Sequence, residues 1–242
     1  HPMVDLFQPK DMVKAQRELD VEPGRTYVAL LPGSRVQEIR HILPLFLEVS
    51  HRLHRYRPDL HFLLPVASPS IRPLVEEVLG RRCLPHLTLL DGQSRRAMSS
   101  SRLAFIASGS ATLEAALLEI PMVLCYRANA FDYHFGQTLR RTGILKIHRW
   151  GLPNIVLGRD VMPELLQDEA NPAKLVELGL ELLDSSPTRQ QQLDDFKEIR
   201  RTLGPEDFDW DSDQRPNVVG RVARFVYEFS RGATVEQAKV LA

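Results

Sequence analysis

The chain has 242 residues, 43% hydrophobic and 26% charged, which is enough apolar content to bury a full α/β core and too much for a disordered chain. Lys+Arg and Asp+Glu each number 31, so the formal net charge is +0 and no global positive field exists to gather nucleic acid or anionic lipid. Cys83 and Cys125 lie far apart, outside any zinc-like spacing, and read as reduced structural thiols of a cytoplasmic protein.

No apolar run approaches the roughly 20 residues a membrane-spanning helix needs, and no signal peptide is visible. The opening His1-Pro2-Met3, in place of an initiator methionine, points to a fragment whose N-terminal portion has been left out.

In chain order, short apolar strands alternate with longer helical stretches from residue 27 to residue 121, the order of parallel βαβ units. Residues 27–31 form the first strand. Pro32-Gly33-Ser34-Arg35 then turns into a helix whose buried face is Leu43, Phe46, Leu47, Val49, Leu53 and Tyr56, with Pro44 in its first turn. Strands follow at 61–65, 87–90, 103–107 and 121–126, and helices at 71–79, 94–101 and 111–118.

A turn-rich Trp150-Gly151-Leu152-Pro153-Asn154 precedes apolar residues 155–157 and a helix carrying Glu164 and Gln167. Further helices are predicted over 172–183, 188–203 and 218–229, with Gly204-Pro205 as a stop. The fold class is α/β, a Rossmann-like doubly wound parallel sheet. Residues 1–204 form the main domain, with 1–26 as a lead-in, and residues 205–242 form an acidic linker and a final helix. Such sheets bind ligands at the carboxyl ends of their strands.

Two strand ends carry suitable residues. Gly33 lets the backbone approach a ligand, and free N–H groups nearby, with the adjacent guanidinium of Arg35, suit phosphate oxygens. The plainer alternative is an ordinary turn in which Arg35 pairs with Glu38. At the second strand end Ser108, Gly109, Ser110 and Thr112 open a helix, and Glu114 is placed to accept from ribose hydroxyls. Here the alternative is simple capping by Ser108 or Ser110 with an early glutamate. Asn154, Glu164 and Gln167 could reach the same pocket, although their composition alone suits a surface helix.

Together Leu30-Leu31-Pro32-Gly33-Ser34-Arg35, Ala107-Ser108-Gly109-Ser110-Ala111-Thr112-Leu113-Glu114, Pro121-Met122-Val123 with Tyr126-Arg127, and Leu152-Pro153-Asn154 with Gly158-Arg159 and Glu164 to Gln167 resemble the C-terminal part of lipid-A-disaccharide synthases. The resemblance runs from His1 to about Gly204, about half of a family member. Ser110 stands where the family pattern has threonine, and the tail after Pro205 matches no part of that pattern.

The resemblance implies the C-terminal half of a GT-B glycosyltransferase, an inverting enzyme that moves 2,3-diacylglucosamine from UDP to 2,3-diacylglucosamine 1-phosphate (lipid X). It implies that Gly33, Ser34 and Arg35 contact the diphosphate, with Arg35 stabilising the leaving group. Ser108, Gly109, Ser110 and Thr112 would add donors, Glu114 would hold the ribose, and Asn154, Glu164 and Gln167 would complete the sugar end. The general base is expected on the protein's own N-terminal domain, outside this chain, so the isolated chain is expected to be incomplete for catalysis.

No cofactor and no metal are expected. Asp211-Ser212-Asp213 has a DxD form but reads as a solvated acidic turn. His51, His54 and His61 lack paired acids at ligand spacing. Arg52, Arg55 and Arg57 read as a solvated face, with peripheral contact at the inner face of the inner membrane as the alternative. Two other functions stay open: a nucleotide-binding module without chemistry, and a UDP-sugar epimerase of similar fold.

Overall fold

The computed structural model describes residues 1–7, 9, 11–80, 86–107, 109–127, 149–205 and 217–230. Two lead-in helices, α1 (Met3–Leu6) and α2 (Met12–Glu18), precede strand β1 (Thr26–Leu31). Then come α3 (Val36–Tyr56), β2 (Leu60–Val66), α4 (Arg72–Leu79), β3 (Leu87–Asp91), α5 (Ser94–Ser99), β4 (Leu103–Ala107), α6 (Ala111–Leu117) and β5 (Met122–Tyr126). After residue 149 the chain forms α7 (Leu152–Leu157), β6 (Glu164–Leu166), a 3-10 turn (Gln167–Glu169), α8 (Pro172–Leu183), α9 (Pro187–Leu203) and α10 (Val218–Ser230).

Among the described residues six strands make one parallel sheet in the order β3-β2-β1-β4-β5-β6. The central strands are apolar along their length because both of their faces are buried. Val28, Leu30, Leu103 and Phe105 point into one core, with α3, α4 and α8. The alternate residues Ala29, Leu31, Ala104 and Ile106 point into the other, with α6, α9 and α1. The chain therefore leaves β1 for one face and its neighbour β4 for the other. This divergence opens a crevice at the carboxyl edge between them, where doubly wound sheets bind ligands. The doubly wound α/β class expected from the sequence is the class observed.

Three local expectations change. Pro44 lies inside α3 and not in its first turn, because the helix starts directly after the glycine turn with Glu38 closing its N-terminus. Tyr56, assigned to the buried face, is 69% exposed at the last residue of α3, where it lines an open surface groove with Arg52, Arg55 and Val176 of α8. The segment from 152 to 167 differs in type: Leu152–Leu157, expected as a turn-rich loop and apolar stretch, is helical, while Glu164, expected on a helix, sits on an edge strand paired with β5. The acidic linker with Asp211-Ser212-Asp213, the thiol of Cys83 and residue Ser108 lie outside the described residues.

Candidate functional site: the crevice between β1 and β4

The crevice holds a cleft of about 330 Å³ whose walls are the turn after β1 and the first turn of α6. Gly33, Ser34 and Arg35 line one wall, and Gly109, Ser110 and Glu114 the other. The structure thus brings together most of the residues singled out at the two strand ends.

The first wall is built by Glu38. Its Oε2 accepts hydrogen bonds from the amides of Ser34 (2.9 Å) and Arg35 (3.1 Å), and its Oε1 accepts from Arg35 Nη1 at 3.1 Å. This is the glutamate half of a capping box: N–H groups that have no partner within the helix are met by a carboxylate one turn on, while the donor-only Arg35 side chain caps nothing in return. The carboxylate folds back so closely over Gly33, whose φ is +103°, that a Cβ there would stand 2.1 Å from Glu38 Oε2. Only glycine fits. The expected pairing of Arg35 with Glu38 is therefore present, and two of the amides expected to face phosphate already have a partner. The Arg35 side chain remains 82% exposed, against 13% for Glu38.

At the second wall Gly109 has φ +117°. Ser110 occupies the N-cap position of α6 without a side-chain capping bond, and its Oγ donates to Glu114 Oε1 at 3.1 Å. That pairing holds Glu114 at the mouth of the cleft. Thr112 faces away: it is wholly buried, and its Oγ1 donates to Gly109 O at 2.8 Å, which tightens the turn.

The third group stands apart from the cleft. Asn154 on α7 is 1% exposed and its amide is saturated. Nδ2 donates to Met162 O (3.0 Å) and Glu164 Oε1 (2.8 Å), while Oδ1 accepts from the amides of Val161 (2.8 Å) and Met162 (3.0 Å). Glu164 also accepts from the amides of Trp150 (2.9 Å) and Gly151 (2.8 Å). The free amide expected in this loop is a clasp that ties α7 to β6. Gln167 begins the 3-10 turn at φ +51°, and its buried Nε2 has no hydrogen-bond partner. Tyr126 and Trp150 stack at 5.4 Å between ring centroids beside this clasp, a contact the spacing of the sequence did not indicate.

Elsewhere, Arg57 pairs with Asp59 and Asp184, and hydrogen bonding to Asp59 pushes its pKa above the ordinary guanidinium value. Arg52 pairs with Glu48. Burial pushes the Cys125 thiol up to about 12, so it is an inert core group. Among the described residues no group of three or more His, Cys, Asp or Glu is placed to hold a metal ion, and no helix is long and apolar enough to cross a membrane.

Residues 1–213 match the family model described as lipid-A-disaccharide synthetase. The chain is 39% identical over 204 residues to a lipid-A-disaccharide synthase of Cupriavidus pinatubonensis, covering 84% of this chain and 50% of that protein. It is 41% identical over 207 residues to the one of Azotobacter vinelandii, covering 84% of this chain and 52% of that protein. The chain thus spans about half the length of the curated relatives it matches.

Among solved structures, a UDP co-structure of S. aureus MnaA superposes with TM-score 0.55 at 11% identity, covering 95% of this chain and 53% of that one. A glycosyltransferase from Rickettsia africae superposes with TM-score 0.51 at 12% identity, covering 79% and 46%. These likenesses bear on the fold.

Proposed function

The chain belongs to the lipid-A-disaccharide synthetase family, and from that premise we propose that it is the donor-binding part of a glycosyltransferase of lipid A biosynthesis. The reaction transfers 2,3-diacylglucosamine from its UDP donor to 2,3-diacylglucosamine 1-phosphate, with inversion and release of UDP. The observation that carries this reading is the cleft at the β1/β4 switch point, lined by the two motifs the family pattern marks. The domain boundary near residue 204, and partnership with an N-terminal domain that supplies the acceptor site and the base, are part of the same proposal.

Gly33, Ser34 and Arg35 take the diphosphate, Gly109 and Ser110 close over it, and Glu114 holds the ribose. As the anomeric C–O bond breaks, negative charge grows on the departing diphosphate. The exposed Arg35 guanidinium lines the cleft, and it stabilises that charge more in the transition state than in the ground state. Asn154 and Glu164 act one step back by fixing the loop that carries Trp150. Thr112 supports the second wall by tightening the turn at Gly109. The donor is a substrate, and binding it draws on the chain's own side chains without a metal or cofactor. The working location is the cytoplasmic face of the inner membrane, where a lipid acceptor is accessible to a protein held at the surface.

Calorimetric titration with UDP tests this. Saturable binding by the wild-type chain is expected, weakened at least about tenfold by Arg35→Ala and by Glu114→Ala, each removing a charged or bidentate contact. Binding unaffected by either substitution would place the nucleotide elsewhere.

A further inference from the structure

For a diphosphate site the cleft has an adverse charge balance. Among the described residues its lining has one cation, Arg35, and two carboxylates, Glu38 and Glu114. Glu114 has a place in the proposed reading, on the ribose. Glu38 has none, yet its carboxylate holds the very groups the turn would offer to phosphate: the amides of Ser34 and Arg35 and the Arg35 guanidinium.

The two halves of this arrangement differ in how easily they part. The amides are capped by the Glu38 carboxylate, a side chain only 13% exposed, and breaking these bonds would leave N–H groups at the helix start without a partner. The Arg35 guanidinium is 82% exposed, and an ion pair so open to water costs little to break. The arginine is therefore the half that moves.

We infer that Glu38 is a resident anion of the leaving-group site: Arg35 leaves it for the incoming diphosphate while the carboxylate keeps the two amides. Its uncompensated charge then lowers the affinity for nucleoside diphosphate and favours release of the UDP product. The inference rests on the reading of the cleft as a nucleoside diphosphate site. Like charges at the boundary of a protein, within one ligand's reach, repel strongly enough to be read in a binding constant.

Glu38→Gln isolates the charge, because a capping box accepts glutamine as well as glutamate at this position and the turn is retained. Calorimetry with UDP and with inorganic pyrophosphate, at low and high salt, provides the measurement. Glu38→Gln is expected to bind both at least about fivefold more tightly than wild type, with the gap narrowing as salt screens the repulsion.

Equal or weaker binding of UDP by a folded Glu38→Gln variant, while wild type binds normally, overturns the inference and leaves the donor-site reading intact. A folded wild type that binds neither UDP nor pyrophosphate overturns the reading and the inference with it. A second measurement needs no substitution: the carboxyl carbon resonance of Glu38 in wild type is expected to shift on saturation with UDP as Arg35 departs. An unmoved resonance also overturns the inference.

Discussion

Asn154 shows how one side chain can hold a segment that has almost no regular structure of its own. Four hydrogen bonds converge on its amide, from or to Val161, Met162 and Glu164, and the residue is 1% exposed. Truncation to alanine would leave the buried amides of Val161 and Met162 and the Met162 carbonyl short of a partner, while the half-buried Glu164 carboxylate keeps the Gly151 amide. Leaving buried polar groups unsatisfied is more damaging than losing a hydrogen bond at the surface. Asn154→Ala is therefore expected to lose about 2–4 kcal/mol of stability. Urea denaturation followed by far-UV circular dichroism reads this directly, and a loss below about 1 kcal/mol would show that the clasp reorganises around the gap. The residue type was legible in the sequence as a polar amide in a turn-rich loop. Its partners were not, because they come from seven to ten residues further along and meet it only once β6 has paired with β5.

At the scale of elements, legibility followed burial. Strand β4 and helix α8 have the bounds the pattern predicts, since a continuous apolar run between breakers and a 3.6-residue apolar stripe are direct records of their surroundings. The segment after residue 150 misled because β6 is only three residues long, too short to display a period of two. Helix α3 begins well before Pro44 because Glu38, besides pairing with Arg35, caps the helix start, and in the sequence those two roles have the same spacing.

The histidines near the amino ends of β2 and β3 are the clearest case of an element-level property hidden in the sequence. His86, just before β3, is 6% exposed, stacks on His54 of α3 at 4.4 Å and meets the edge of Phe62 at 5.7 Å. Burial, and then the neighbouring charges of His54, His51 and His61, pull its pKa down to about 4. His61 is shifted in the same direction, by burial first and then by Arg25. The sign follows from proton uptake. Above pH ~6.5 His86 is neutral whether the chain is folded or not; below it the unfolded chain binds a proton that the folded chain refuses until pH about 4. Stability is thus complete above the unfolded value and is lost across the window from ~6.5 down to about 4, by about 3 kcal/mol at most for His86. Denaturant titrations at pH 7.5, 6, 5 and 4.5 should show this decline in wild type and a shallower one in His86→Leu. Identical slopes would remove His86 from the account.

For the whole molecule, the deciding feature is that the two walls of the cleft belong to neighbouring strands whose helices depart to opposite faces of the sheet. Gly33 in the turn after β1 lies 76 residues before Gly109 in the turn after β4, so neither wall exists without the sheet that joins them. A ligand of this cleft binds the folded chain and not the unfolded one, and so must stabilise the fold by mass action. With UDP at a hundredfold excess over its dissociation constant the gain is about 2.7 kcal/mol, which for a chain of this size raises the melting temperature by roughly 5–10 °C. The shift should follow the logarithm of UDP concentration and require a far higher concentration in Glu114→Ala, whose second-wall carboxylate is gone while the rest of the sheet is untouched. Scanning calorimetry of both proteins over a UDP series measures it. An equal shift in the two proteins at every concentration would mean that the nucleotide stabilises the sheet from somewhere other than the crevice between β1 and β4.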